Sequence, residues 1–370
     1  MIEKIHVNLN LNSYNIYIGN QLLDDISISS VFLNHKNSVI VTNETIYNIL
    51  LKNKANSNFY NYIKDIKFFL IQDGEYYKNF KTVESIISFL LNQQYGRDLS
   101  LIALGGGVVG DITGFVASIY QRGINFFQIP TTLLAQVDAS IGGKTGINHA
   151  LGKNMIGSFW QPKGVLIDIN FLSTLPKKHF ISGIAEIIKY AIIFDNNFFM
   201  WLEKNLLKIL QLEENKLLFC IKKCCELKAS IIENDEKENG SRAFLNLGHS
   251  FAHAIETYSG YGKWLHGNAV SVGIVMASYL SFQLGILKKD DLFKIINIFY
   301  NIGLPIKGPK HMKPNDYLIL MSRDKKVLNG IMRFILPISI GKVKIFSSID
   351  KNILLNAIKK FQKKIYFFNS

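Results

Sequence analysis

At 370 residues the chain is too long for one comfortable core and predicts two domains. Its 48% hydrophobic and 19% charged residues, with only 7 prolines, exclude a disordered protein. The 42 basic against 28 acidic residues invite a nucleic-acid reading, but the lysines are scattered and travel with many Asn, Ile, Phe and Tyr, the mark of an AT-rich genome. No nucleic-acid partner is expected, whereas a basic cleft for an anionic small molecule fits.

The segment 4–18 reads as a hairpin, and the N-terminus MIEKIHVNLNLN lacks the apolar stretch of a signal peptide. Short apolar runs at 38–42, 66–72, 99–104 and 126–129 predict buried strands, and 79–95 has the spacing of an amphipathic helix. This alternation predicts an α/β nucleotide-binding domain with a parallel sheet over 1–180. From 181 the periodicity turns helical, at 182–194, 197–210, 213–234, 245–258, 267–285 and 290–301, which predicts a mostly α-helical domain over 181–370. The stretch 267–287 is uncharged and long enough to span a bilayer. The recurring Asn268, Ser271, Ser278, Ser281 and Gln283 make it instead a buried central helix, and no membrane partner is expected. Cys220, Cys224 and Cys225 form no C-x-x-C pair, so they predict core packing in a reducing compartment.

Strand 99–104 runs into Gly105-Gly106-Gly107-Val108-Val109-Gly110-Asp111, a G-x-G-x-x-G turn before a helix. Such glycines let backbone N–H groups approach a pyrophosphate, and the helix N-terminus favours its charge. The acidic residue usual about 20 positions later is missing, since 112–137 contain none. The turn after strand 66–72, Asp73-Gly74-Glu75-Tyr76-Tyr77-Lys78, offers a carboxylate for ribose hydroxyls that would repel a 2′-phosphate, so NAD is expected rather than NADP. Gly142-Gly143-Lys144-Thr145 suggests a P-loop, but that motif's first glycine would fall at Asp138. What remains reads as a flexible loop, in which Lys144, Lys153 and Arg122 can converge on phosphate or carboxylate oxygens.

Glu186 and Lys189, three residues apart on an apolar helix, share a face, and burial demands a partner for each. A mutual salt bridge is one explanation. A metal is another, because His249, His253 and His266 crowd one short segment. The spacing leaves two sets open, Glu186/His249/His253 and Glu186/His249/His266, either of which can hold a catalytic zinc ion.

Taken together, GGGVVGDITGF, QRG, PTTLLAQVDASIGGKTGIN, LGKNMIGSFWQP, SGIAEIIKY, CELKA, NLGHSFAHAIE, WLHG and DKKVLNG resemble, in order, the 3-dehydroquinate synthase family of sugar-phosphate cyclases. The resemblance implies that family's two-domain fold, NAD, and a zinc or cobalt ion on Glu186, His249 and His266. It implies a cytoplasmic enzyme of aromatic amino-acid biosynthesis, a homodimer, that converts 3-deoxy-D-arabino-heptulosonate 7-phosphate to 3-dehydroquinate and phosphate. His253 becomes a residue near the substrate that either supports the metal ligands from behind or handles protons. Asp73, Gly74, Glu75, Tyr76, Tyr77, Lys78, Gly107, Val108, Val109, Gly110 and Asp111 match nucleotide-binding positions, as do Thr131, Thr132, Lys144, Lys153, Phe171, Leu172, Ser173 and Thr174. Asp138, Asn154, Lys189, Lys228, Arg242, Asn246 and one of Lys325 and Lys326 match substrate-pocket positions, with Lys153 serving both. Arg122 matches a residue that reaches across a dimer interface. One departure stands out: the family places Glu after its His-Gly, where this chain has Asn268, and a carboxylate there would tune His266.

Overall fold

The computed structural model describes residues 2–32, 37–52, 58–260, 262–322, 332–347 and 349–364. The chain divides into two compact units, one of residues 1–176 and 212–237, the other of 177–211 and 238–370.

The first unit is built on a seven-stranded sheet. Its strands are β1 (Glu3–Val7), β2 (Tyr14–Gly19), β3 (Ser38–Asn43), β4 (Lys67–Ile71), β5 (Ser100–Gly105), β6 (Asn125–Pro130) and β9 (Gly164–Asp168), in the order β1-β2-β9-β6-β5-β3-β4. β1 and β2 form the expected antiparallel hairpin, and every other pairing is parallel. Alternate residues serve opposite faces, as the pleat requires. Val39, Val41, Leu101 and Ala103 join one core, while Ile40, Ile102, Leu104 and Leu166 join the other. Helices α1 (Ile26–Phe32), α2 (Glu44–Lys52) and α3 (Asn58–Ile63) contribute to the second core. Helices α4 (Phe80–Asn92) and α5 (Gly107–Ile119) contribute to the first.

Two features of this unit differ from the sequence reading. The supposed flexible loop is an antiparallel ribbon of β7 (Lys144–His149) and β8 (Gly152–Phe159). Its glycines disguise it, yet they are needed: a Cβ on Gly157 would stand 2.1 Å from the Thr145 carbonyl oxygen. The second difference is the segment 212–237. The division at 181 gave it to the helical domain, but its helix α8 (Glu214–Asn234) belongs to the α/β unit. There Lys222 Nζ pairs with Glu3 at 2.7 Å, and Cys225 Sγ reaches the Gln136 carbonyl at 3.5 Å.

The second unit contains α6 (Lys177–Phe194), α7 (Asn196–Leu210), α9 (His249–Ser259), α10 (His266–Gln283), α11 (Lys289–Asn301), α12 (Pro314–Ser322) and α13 (Lys351–Lys364), with a hairpin of β10 (Arg333–Ser339) and β11 (Lys342–Ser347). α10 is the uncharged stretch, and nearly all of it is buried. No helix among the described residues is long and apolar enough to cross a membrane. α10 packs against both α6 and α9, and glycines set how closely. A Cβ on Gly267 would lie 1.8 Å from the Ser182 carbonyl oxygen, and one on Gly273 would lie 2.1 Å from that of Gly248.

Candidate active site

In the α/β unit the expected nucleotide-binding residues follow the carboxyl ends of parallel strands. Residues 73–78 follow β4, 107–111 follow β5, 131–132 follow β6, and 171–174 follow β9. The chain proceeds from β3 to β4 toward one edge, then returns to place β5 on the other side of β3. Open α/β sheets bind ligands at such a reversal. Gly107 opens α5, and Gly110 packs so closely that a Cβ would meet Gln128 Oε1 at 2.6 Å. The backbone therefore runs bare at the start of α5, as an anion cradle requires. Thr131 Oγ1 is buried there and has no hydrogen-bond partner among the described residues.

The acidic turn is tied to its neighbours. Asp73 accepts hydrogen bonds from Asn43 Nδ2 and from Thr45 Oγ1, the latter at 2.8 Å. Glu75 Oε1 accepts from Asn148 Nδ2 at 2.8 Å and lies 3.8 Å from Lys153 Nζ. Lys78 is buried, with Nζ 2.5 Å from both Asp111 Oδ2 and Asn154 Oδ1. Burial pushes the Asp111 carboxyl above its ordinary range, opposed by the Lys78 ammonium beside it. One network thus fastens the 73–78 turn, the first turns of α5 and the β7–β8 ribbon. Asn148 takes part through Asn154 N–H at 2.9 Å as well. Its place in the GKTGIN segment was visible in the sequence, but no chemistry singled it out.

Tyr76 is 83% exposed, whereas Phe171 and Leu172 are buried in the short helix Ile169–Thr174. Ser173 and Thr174 hydroxyls there bond to backbone carbonyls of the same turn. The ribbon also separates the cations expected to converge. Lys144 pairs with Phe159 at one end of it, while Lys153 lies beside the other. Arg122 occupies an exposed turn past the C-terminal end of α5. Lys144 opens a strand, not a helix, which rules out a P-loop geometry. Lys228, on α8, is buried and holds Asp138 through both its carbonyl oxygen, at 2.6 Å, and Oδ1, at 2.5 Å.

In the helical unit the structure brings Glu186, His249 and His266 together, with one ligand atom of each within 4.8 Å of the others. Glu186 comes from the buried middle of α6, while His249 and His266 open α9 and α10. Gly248, at φ 77°, makes the left-handed turn that starts α9. His266 Nε2 lies 3.7 Å and His249 Nε2 4.0 Å from Glu186 Oε1. These gaps are too long for hydrogen bonds. They are close to the roughly 3.4 Å separations of ligands around a tetrahedral zinc ion with bonds of about 2.0–2.1 Å. Both Glu186 oxygens are buried without a hydrogen bond among the described residues, although Lys189 Nζ forms an ion pair with Oε2. An anionic oxygen facing two imidazole nitrogens with no proton donor between them fits a divalent cation. His253 stands outside this group, its ring edge-on to His249 at 5.6 Å.

The salt bridge read from the sequence is therefore present as well, since Glu186 meets Lys189 on one side and the imidazoles on the other. Arg242 is buried, and Asn246 Nδ2 donates to Glu238 Oε1 at 2.6 Å. Lys325 and Lys326 lie outside the described residues. Sequence reasoning missed Glu256, whose Oε1 is 3.3 Å from His266 Nδ1. It stands seven residues after His249, hence on the same helix face, and that spacing was the available signal.

The comparisons with known proteins point one way. Residues 68–182 match the model of the 3-dehydroquinate synthase N-terminal family, and 183–327 match that of the C-terminal family. A 3-dehydroquinate synthase of Buchnera aphidicola subsp. Cinara cedri is 70% identical, over 99% of this chain and 100% of its own length. That of Buchnera aphidicola subsp. Baizongia pistaciae is 56% identical, over 95% and 99%. Among solved structures, a 2-epi-5-epi-valiolone synthase from Streptomyces hygroscopicus subsp. jinggangensis, with NAD+ and Zn2+ bound, superposes with a TM-score of 0.86 at 25% identity. The match covers 95% of this chain and 97% of that one.

Proposed function

Because the chain belongs to the 3-dehydroquinate synthase family, we propose that it converts 3-deoxy-D-arabino-heptulosonate 7-phosphate to 3-dehydroquinate and phosphate, using NAD and a zinc or cobalt ion. The observation that carries the reading is the buried group of Glu186, His249 and His266. When bound, NAD supplies reversible hydride acceptance and the divalent ion supplies Lewis acidity toward substrate hydroxyls.

The residues divide the remaining work. Glu186, His249 and His266 hold the ion. The turns 73–78 and 107–111, with Thr131, Thr132, Lys144 and residues 171–174, hold the dinucleotide, and the Asp73 carboxylate disfavours a 2′-phosphate. Lys153, Lys189, Lys228 and Arg242 hold the substrate's phosphate and carboxylate, while Asn154, Asn246 and Asp138 orient it. Positioning of this kind contributes about 7–11 kcal/mol toward a barrier. The step that breaks the phosphate ester is an elimination. A proton leaves the carbon beside a ketone, its electrons form the double bond, and phosphate departs with the C–O pair. The substrate's own phosphate can take that proton, so the chain needs few bases, and His253 is assigned to proton handling in the later steps. The test mixes protein, Zn2+, NAD and the heptulosonate phosphate. Phosphate release that needs both NAD and the metal, without accumulation of NADH, is the expected result. Stoichiometric NADH with no phosphate would make the chain a polyol dehydrogenase of the same fold.

The same reading places the enzyme in the cytoplasm as a homodimer, in which Arg122 reaches toward the second copy. Exposed apolar side chains on the β7–β8 ribbon support the dimer, with Leu151 91%, Met155 54% and Phe159 42% exposed. Sedimentation at twice the chain mass is expected, and Phe159→Asp should shift the population toward monomer. A monomer at micromolar concentration in the parent protein would remove the dimer from the scheme.

A further inference from the structure

Each imidazole of the metal group is held through its other ring nitrogen, and the two holders differ in kind. His249 Nδ1 is 3.1 Å from the Leu247 carbonyl oxygen. His266 Nδ1 faces the carboxylate of Glu256, with Oε1 at 3.3 Å. Glu256 is 5% exposed, on the same helix as His249. A neutral imidazole carries one N–H, and an anionic acceptor beside Nδ1 keeps the proton there. The Nε2 lone pair is then left on the side where Glu186 stands, 3.7 Å away. The side chain after Gly267 is the neutral Asn268. Among the described residues, the carboxylate facing His266 Nδ1 comes from α9.

We propose that Glu256 is a positioning residue for the metal centre. It fixes the tautomer and ring plane of His266 and makes Nε2 a stronger ligand for the divalent ion. The inference rests on the metal reading above. Its physical basis is charge as well as shape, because a carboxylate acceptor strengthens a histidine ligand in a way that a neutral amide does not. The balance also works in the other direction. A buried carboxylate needs a nearby positive charge, and a divalent ion one imidazole ring away provides it.

The test uses the full-length apo protein and the variants Glu256→Gln, Glu256→Ala and His266→Ala. Zn2+ affinity is read by competition with a chromophoric chelator, and Co2+-loaded samples give visible spectra. Glu256→Gln keeps the shape and loses the charge, so Zn2+ should bind about 10-fold more weakly, and Glu256→Ala should approach a 100-fold loss. The Co2+ bands should shift in both, while NAD affinity stays at the parent value and reports that the chain is folded. Parent-like Zn2+ affinity and Co2+ spectrum in both Glu256 variants overturn the role of Glu256. If His266→Ala has lost the metal in the same series, the metal reading survives that result. Undiminished Zn2+ affinity in His266→Ala overturns the metal reading itself.

Discussion

His249→Ala is expected to purify without bound metal, to bind NAD as tightly as the parent, and to turn over substrate at least about a thousandfold more slowly. The magnitude follows from several kcal/mol of metal-derived stabilisation, at about 1.4 kcal/mol for each tenfold in rate. Metal should be lost because the proposed group offers three protein ligands, and removing one leaves Glu186 and His266, too few for a tight zinc site. NAD binding persists because the residues assigned to it follow strands of the α/β unit. His253→Ala is the matched control. Its ring touches the edge of His249 without joining the ligand group, so it should keep full metal content while turnover falls about 100-fold or more, as for a lost proton-transfer residue. If His253→Ala loses its zinc and His266→Ala retains it, the other set left open by the sequence is the true one.

Lys189→Met should cut turnover by about 100- to 1,000-fold, the cost of removing one preorganised charge, with metal content unchanged. The structural signature is sharper. Lys189 and Glu186 are 1% and 0% exposed and paired, and breaking a buried pair from one side typically costs about 3–5 kcal/mol. That cost should appear in urea denaturation of the apo protein. It should shrink when Zn2+ is added, because the ion takes over as counter-charge for Glu186. In the loaded protein the ammonium is then available to an anionic substrate group. An equal loss of stability with and without zinc would show that Lys189 is a structural cation, and zinc loss in the variant would say the same.

Much of this was legible in the chain itself. The strand runs at 38–42 and 99–104 announce themselves because central parallel strands are buried on both faces and so read as unbroken apolar stretches. The cluster of Glu186 with histidines was partly legible, because Glu186 interrupts an apolar helix and three histidines crowd one short segment, but that pattern alone left His253 and His266 as alternatives. The β7–β8 ribbon was not, since Gly146, Gly152 and Gly157 have little strand propensity. The backbone contact that Gly146 and Gly157 allow exists only once the two strands meet. Helix α8 was read correctly as a helix and given to the wrong unit, because a 3.6-residue period shows that a face is buried but not against what. Glu256 was passed over because a glutamate on an amphipathic helix ordinarily faces solvent, and only the folded arrangement turns it toward His266.

The placement of α8 also governs the order in which the molecule can be completed during synthesis. Domains tend to consolidate as they leave the ribosome, N-terminal ones first. Here the earlier-made unit waits for a helix translated after α6 and α7. Until that helix arrives, Asp138 has no ammonium from Lys228.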